Sequence, residues 1–118
     1  DRTIAFDEIN SRVYWITGEY IFRSDLNGTN VETVFQFWGS VSNPSIVISA
    51  FSNKLCWATS SFYGEIACSD LNGNNPIVLD SSDGSGDYAA RSLAISSTTQ
   101  TLYWFDDNYD TQMVSLLG

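Results

Sequence analysis

Two cysteines, one Asn-Gly-Thr triplet and two acidic clusters are the parts of this sequence whose residue types and spacing could do chemistry. Cys56 and Cys68 are its only cysteines. If the chain between them turns around Phe62, they lie opposite one another on adjacent strands. Cα atoms at a non-hydrogen-bonded cross-strand site are about 4.5 Å apart, at the short edge of disulfide geometry. A disulfide is therefore expected, and it fits an oxidising compartment. The alternative is a pair of small buried thiols, and so short a loop limits the entropic gain of a bond. Two isolated thiols are too few to hold a metal. Asn27-Gly28-Thr29 is the one acceptor triplet for N-glycosylation, because proline disqualifies Asn43-Pro44-Ser45. In a secreted protein a glycan on Asn27 would project from a turn, although Asn27 also has a structural reason to stand in that turn.

Asp80, Asp83 and Asp87 fall in a Ser- and Gly-rich stretch, and Asp106, Asp107 and Asp110 surround Asn108 and Tyr109. Clustered oxygen ligands of this kind can hold Ca²⁺ in an irregular cage. Neither cluster has EF-hand spacing, and a solvated loop accounts for both, so no metal site is assigned. The chain contains no histidine, which removes Ser-His-Asp and Cys-His catalysis and histidine-ligated metals. No cofactor is expected. Its 5 basic and 14 acidic residues leave a net charge of −9. That balance excludes the clustered cations needed by a nucleic-acid groove or an anionic membrane surface. At 118 residues, 43% hydrophobic and 14% aromatic, the sequence reads as one ordered domain. It has no apolar run of about 18 residues that would insert in a bilayer. No signal peptide opens it, and Asp1 reads as the start of a mature or excised segment.

The elements that would position these residues recur along the chain. IAFDEINSRVYW from Ile4, IVISAFSNKLCW from Ile46 and LAISSTTQTLYW from Leu93 stack without gaps and each ends in Trp. Trp15, Trp57 and Trp104 are spaced by 42 and 47 residues. Each block is followed by a second: RSDLNG from Arg23, CSDLNG from Cys68 and a degenerate VSLLG from Val114. Runs rich in β-branched and aromatic residues, such as RVYWIT, KLCWAT and TLYWF, alternate with turn formers such as EINS, AFSN and DLNG. In the Asp-Leu-Asn-Gly turns, Asp25 and Asp70 can bond backbone ahead of them, and Asn-Gly can supply left-handed conformations.

The strands group as four, four and three. An antiparallel four-stranded unit of roughly 40–50 residues that packs on its copies is a propeller blade. The expected architecture is all-β, about three four-stranded antiparallel blades of a β-propeller with the third incomplete. Residues 1–118 form a single partial propeller, with blades at about 3–38, 45–80 and 92–118. The three in-register tryptophans are expected in the core between blades. Trp38 has no repeat partner, while Phe62, Tyr63, Tyr88 and Tyr109 fall in loops, so these five aromatics are the candidate contact residues. Phe37 and Trp38 could equally fill the junction of the first two blades.

The stretches YWIT from Tyr14, CWAT from Cys56 and YWFD from Tyr103, followed by the Leu-Asn-Gly turns, resemble the YWTD repeat. This is the low-density-lipoprotein-receptor class B repeat, and the resemblance runs from Ile4 to Gly118. The motif's Asp is kept only as Asp106. The resemblance implies blades of a six-bladed extracellular or secreted propeller that binds other proteins and does not catalyse. The chain would supply half of that ring, completed by further blades of a longer polypeptide or by self-association. The expected function is a non-enzymatic extracellular interaction or assembly module with a protein partner, a basic one given the charge. One alternative is lectin-like sugar binding by an oligomerised propeller. Another is a fragment of a propeller hydrolase or lactonase, for which the innermost strands offer only Asp7 near the axis.

Overall fold

A computed structural model of the chain describes residues 3–37, 44–61, 65–81, 88–89, 91–96, 98–105 and 111–115. The first sheet contains β1 (Ile4–Asp7), β2 (Arg12–Thr17), β3 (Tyr20–Asp25) and β4 (Glu32–Gln36), antiparallel and in sequence order. The second contains β5 (Ser45–Ser49), β6 (Lys54–Ala58), β8 (Glu65–Ser69) and β9 (Ile77–Ser81). The third contains β11 (Arg91–Ser96), β12 (Thr101–Phe105) and β13 (Thr111–Ser115). Between the second and third, β7 (Ser60–Ser61) pairs with β10 (Tyr88–Ala89) in a short ribbon. No helix among the described residues is long and apolar enough to cross a membrane.

The repeat is visible in the backbone itself. The eighth residue of each twelve-residue block, Ser11, Asn53 and Gln100, is left-handed, with φ of 56°, 56° and 54°. The fourth residue of each block braces the same turn. Asp7 Oδ1 accepts from Asn10 N at 3.0 Å, Ser49 Oγ from Ser52 N at 3.4 Å, and Ser96 Oγ from Thr99 N at 3.3 Å. The two Asp-Leu-Asn-Gly turns match in their backbone bonds as well. Gly28 N and Gly73 N donate to the carbonyls of Asp25 and Asp70, at 2.9 and 3.0 Å. The left-handed residues there are Gly28 with Asn30 and Gly73 with Asn75, so the Asn of the Asn-Gly pair is not the one that turns left. Asp70 Oδ1 receives Asn72 N and Asn74 N, as a short acidic side chain at a turn start can.

Two hydrophobic clusters join the sheets. Alternation along the strands places Tyr14, Ile16 and Ile21 of the first sheet against Ile46, Leu55, Trp57 and Leu71 of the second. The opposite face of the second sheet, with Val47, Cys56, Ile66 and Cys68, packs on Leu93, Leu102 and Trp104 of the third. Phe35 and Phe37 hold Trp57 at centroid distances of 4.6 and 5.9 Å, so Phe37 does fill the first junction. Each of these tryptophans faces the sheet before its own. Trp15 therefore departs from the expected core position: it is only half-buried and rests on Phe22 of its own sheet at 5.8 Å. The reason is positional, since no sheet precedes the first among the described residues.

Candidate functional site

The antiparallel order sends all sheet ends to two opposite sides. One side carries the turns after β1, β5 and β11 and the two Asp-Leu-Asn-Gly turns. The other carries the β2–β3 turn. Trp38, Phe62, Tyr63 and Tyr109 lie outside the described residues. Tyr88, expected in a loop, stands instead in β10 opposite Ser61. Two backbone edges meet there, one before β8 and one before β11, and they pair because each leaves unmet N–H and C=O groups.

On the first side, polar side chains bind sheet to sheet. Tyr14 Oη donates to the Leu71 carbonyl at 2.9 Å, across the first interface. Arg23 Nη1 donates to the same carbonyl at 3.0 Å and to Asn72 Oδ1 at 2.8 Å. Its Nε meets Glu32 Oε2 at 2.7 Å. Burial opposes the Arg23 charge, but hydrogen bonds to Tyr14 and Glu32 more than offset it and hold the guanidinium above its ordinary value. Tyr14 and Arg23 are directly paired across β2 and β3. At the second interface Gln100, itself buried, accepts at Oε1 from Ser49 Oγ at 2.7 Å and also from Ser52 Oγ.

The Arg23 hydrogen bond and charge hold the Glu32 carboxyl below its ordinary value of 4.5. A depressed carboxylate contributes stability that is present above that ordinary value and is lost as pH falls through the lowered one. Glu32 is more than half exposed, so solvent screens the pair and the contribution is small. Glu32→Gln is expected to leave the neutral-pH melting temperature almost unchanged. The same substitution should remove a small acid-side slope below pH 4.5, as read from thermal melts across pH.

In the second sheet the Tyr14–Arg23 pair is replaced by a covalent one. Cys56 and Cys68 are paired across β6 and β8 and joined by an S–S bond of 2.11 Å, with Cα atoms 4.0 Å apart. The sulfurs stand in the core between the second and third sheets. Closing a loop of this length stabilises by about 3 kcal/mol in the chain-entropy account. Replacing both cysteines with alanine is expected to lower the urea midpoint by that equivalent, and reductant should lower it in the parent chain only. A midpoint indifferent to reductant would show that the bond does not form.

β1, β5 and β11 together line an open apolar cavity of about 570 Å³, with Phe6, Ile48 and Ile95 among its walls. Asp7, the carboxylate expected near this axis, is fully buried and turned to Asn10, whose Nδ2 donates to its Oδ2 at 2.8 Å. It braces a turn and does not enter the cavity. Among the described residues no three His, Cys, Asp or Glu side chains are grouped to hold a metal. Asp80 is exposed near the end of β9, while Asp83 and Asp87 lie outside the described residues. Asn27 is exposed, and its Oδ1 accepts from Thr29 N at 3.1 Å and Thr29 Oγ1 at 2.6 Å.

No family model matches the sequence, and no curated protein matches it either. In fold, 96% of the chain superposes on a chain from the crystal structure of a nidogen–laminin complex, with a TM-score of 0.81 and 21% identity. The fold is that of a β-propeller. The three sheets are successive blades, the two clusters are blade junctions, and the cavity is a sector of the propeller axis. The chain spans 43% of that neighbour, less than half its length. The interblade bonds of Tyr14, Arg23 and Gln100 were not among the sequence candidates. A signal for the first two existed: the repeats place Tyr14 and Arg23 where Cys56 and Cys68 stand, so these columns had to meet across a hairpin.

Proposed function

We propose that this chain is a non-enzymatic extracellular protein-interaction module. Its partner meets the propeller side that carries the connections between blades. The observation that carries this reading is the fold likeness to a chain crystallised within a protein–protein complex, that of nidogen with laminin. A Cys56–Cys68 disulfide in the blade core agrees with an oxidising, extracellular setting. The net charge of −9 favours a partner with a basic surface. Trp38, Phe62, Tyr63 and Tyr109, with Tyr88 of the β10 ribbon, are the contact residues proposed, because aromatic side chains dominate the energetics of such surfaces. Asn27, on the opposite side, is proposed to carry a glycan that leaves the contact side clear.

The test is surface plasmon resonance of the chain against purified extracellular-matrix proteins, laminin included, at low and high salt. Binding that weakens with salt and falls by about tenfold or more in Trp38→Ala or Tyr63→Ala is expected. Thr99→Ala on the opposite side should leave it unchanged. Absence of binding across the panel, or binding that ignores both aromatic substitutions, would refute the reading.

A further inference from the structure

The Tyr14–Arg23 and Cys56–Cys68 pairs hold the same repeat positions, and each faces the blade that follows its own. At the first junction Tyr14 and Arg23 both donate across the gap to the Leu71 carbonyl of blade 2. At the second junction the cysteines bond to one another inside blade 2. Their sulfurs stand beneath blade 3, among Leu93, Leu102 and Trp104. Cys56 has no exposed surface, and Cys68 is 6% exposed. Among the described residues, the polar ties across this junction are those of Gln100 to Ser49 and Ser52, on the turn side. The second junction is therefore apolar around a bond that can be reduced, whereas the first is pinned by groups that cannot. Both of its walls lie within the chain, whatever precedes blade 1 or follows blade 3.

We propose that the Cys56–Cys68 bond is a redox switch for the seating of blade 3. A disulfide is reduced by thiolate attack on one sulfur, which requires access to it. Blade 3 denies that access, so a dithiol reductant acts only while the second junction is open. Its thiolate attacks Cys68, the sulfur with residual exposure, and Cys56 leaves as a thiolate. The second thiol of the reductant then displaces Cys68 from the mixed disulfide. The reductant is left oxidised to its own disulfide, and the two cysteine thiolates each take up a proton. The freed sulfurs can no longer sit at bonding distance, and a close-packed junction must find room for both. That cost falls on the seat of blade 3. Blade 2 keeps its order, because β6 and β8 remain joined by their backbone ladder and flanked by β5 and β9. The oxidised chain is closed at the second junction, and the reduced chain is loosened there while the first junction holds.

The switch requires no partner protein, so its failure leaves the aromatic contact reading to its own binding test. The experiment follows reduction of the 118-residue chain by dithiothreitol without denaturant, with alkylation and peptide mapping of the thiols. Leu102→Val, at a fully buried position of the second junction, should speed reduction about three- to tenfold. Ile21→Val, equally buried at the first junction, should leave the rate unchanged. Equal acceleration by both variants would mean that reduction waits for global unfolding, and a rate indifferent to both would mean attack on the closed chain. Either result overturns the proposal. Glutathione in place of dithiothreitol should leave its adduct on Cys68, and an adduct on Cys56 would refute the order of attack. In the reduced chain the indole N–H resonance of Trp104 should shift while that of Trp57 stays, the two being assigned from Trp104→Phe and Trp57→Phe. A Trp104 signal unmoved by reduction, or loss of both signals together, would show that the bond does not act on the seat of blade 3.

Discussion

Trp57→Ala is expected to cost about 3–5 kcal/mol in urea unfolding, against about 1 kcal/mol or less for Trp15→Ala. The two residues hold the same place in the repeat, and only their neighbours differ. Trp57 has no exposed surface, packs on Phe35 and Phe37 of blade 1, and directs Nε1 to Glu65 Oε1 at 3.4 Å. Truncation opens a cavity that two rigid sheets cannot collapse, so a cavity penalty adds to the lost transfer free energy. Trp15 is half-buried and leans on Phe22, so solvent replaces most of what alanine removes. Total stabilities of single domains are about 5–15 kcal/mol, so the first substitution should leave a small fraction of chains unfolded or nearly all of them. Equal costs for the two tryptophans would refute the assignment of Trp57 to a blade junction.

Gly73→Ala should be the second large effect, roughly 3 kcal/mol or more, beside about 1 kcal/mol for Gly28→Ala. Both glycines follow the Asn of an Asp-Leu-Asn-Gly turn with nearly the same left-handed backbone, φ of 82° and 85°. Alanine is strained equally at both, which sets the smaller figure. A methyl group on Gly28 meets nothing within 4 Å, whereas on Gly73 it would lie 2.0 Å from the Val34 carbonyl oxygen of blade 1. That oxygen is backbone and cannot swing aside, so blades 1 and 2 must separate to admit the methyl. Matched thermal melts of the two variants check the contrast, and similar melting temperatures would mean that the turn does not pack on Val34 in solution.

Much of the fold was legible because repetition multiplies a weak signal. Any one of RVYWIT, KLCWAT or TLYWF is only a strand-like run, but three at matching offsets define a blade. The cysteines were legible for the same reason, since the columns of Cys56 and Cys68 flank one hairpin. Trp15 was misplaced because periodicity tells which face is apolar and not whether a neighbour covers it. Asp7 stands on an innermost strand as read, but its chain position cannot reveal that Asn10 satisfies both of its oxygens. Arg23 has the same limitation: its partners Leu71 and Asn72 are 48 and 49 residues away, and only the stacking of blades brings them together. Tyr88 entered a ribbon through backbone pairing that carries no side-chain signature.

Among the described residues only blade 2 is covered on both faces: β6 and β8 are each buried at four of their five positions, whereas β1 alternates buried with exposed. Unfolding should therefore run inward from the two ends. A stack in which each unit touches only its neighbours opens in proportion to the junctions broken, one for an outer blade and two for the middle one. Amide protons of β6 and β8 should exchange only through global opening, and those of β1 and β13 through cheaper, partial ones. In a chain where Cys56 and Cys68 cross-link those same central strands, the segment that a protease reaches last is also the one that carries the covalent record of having folded.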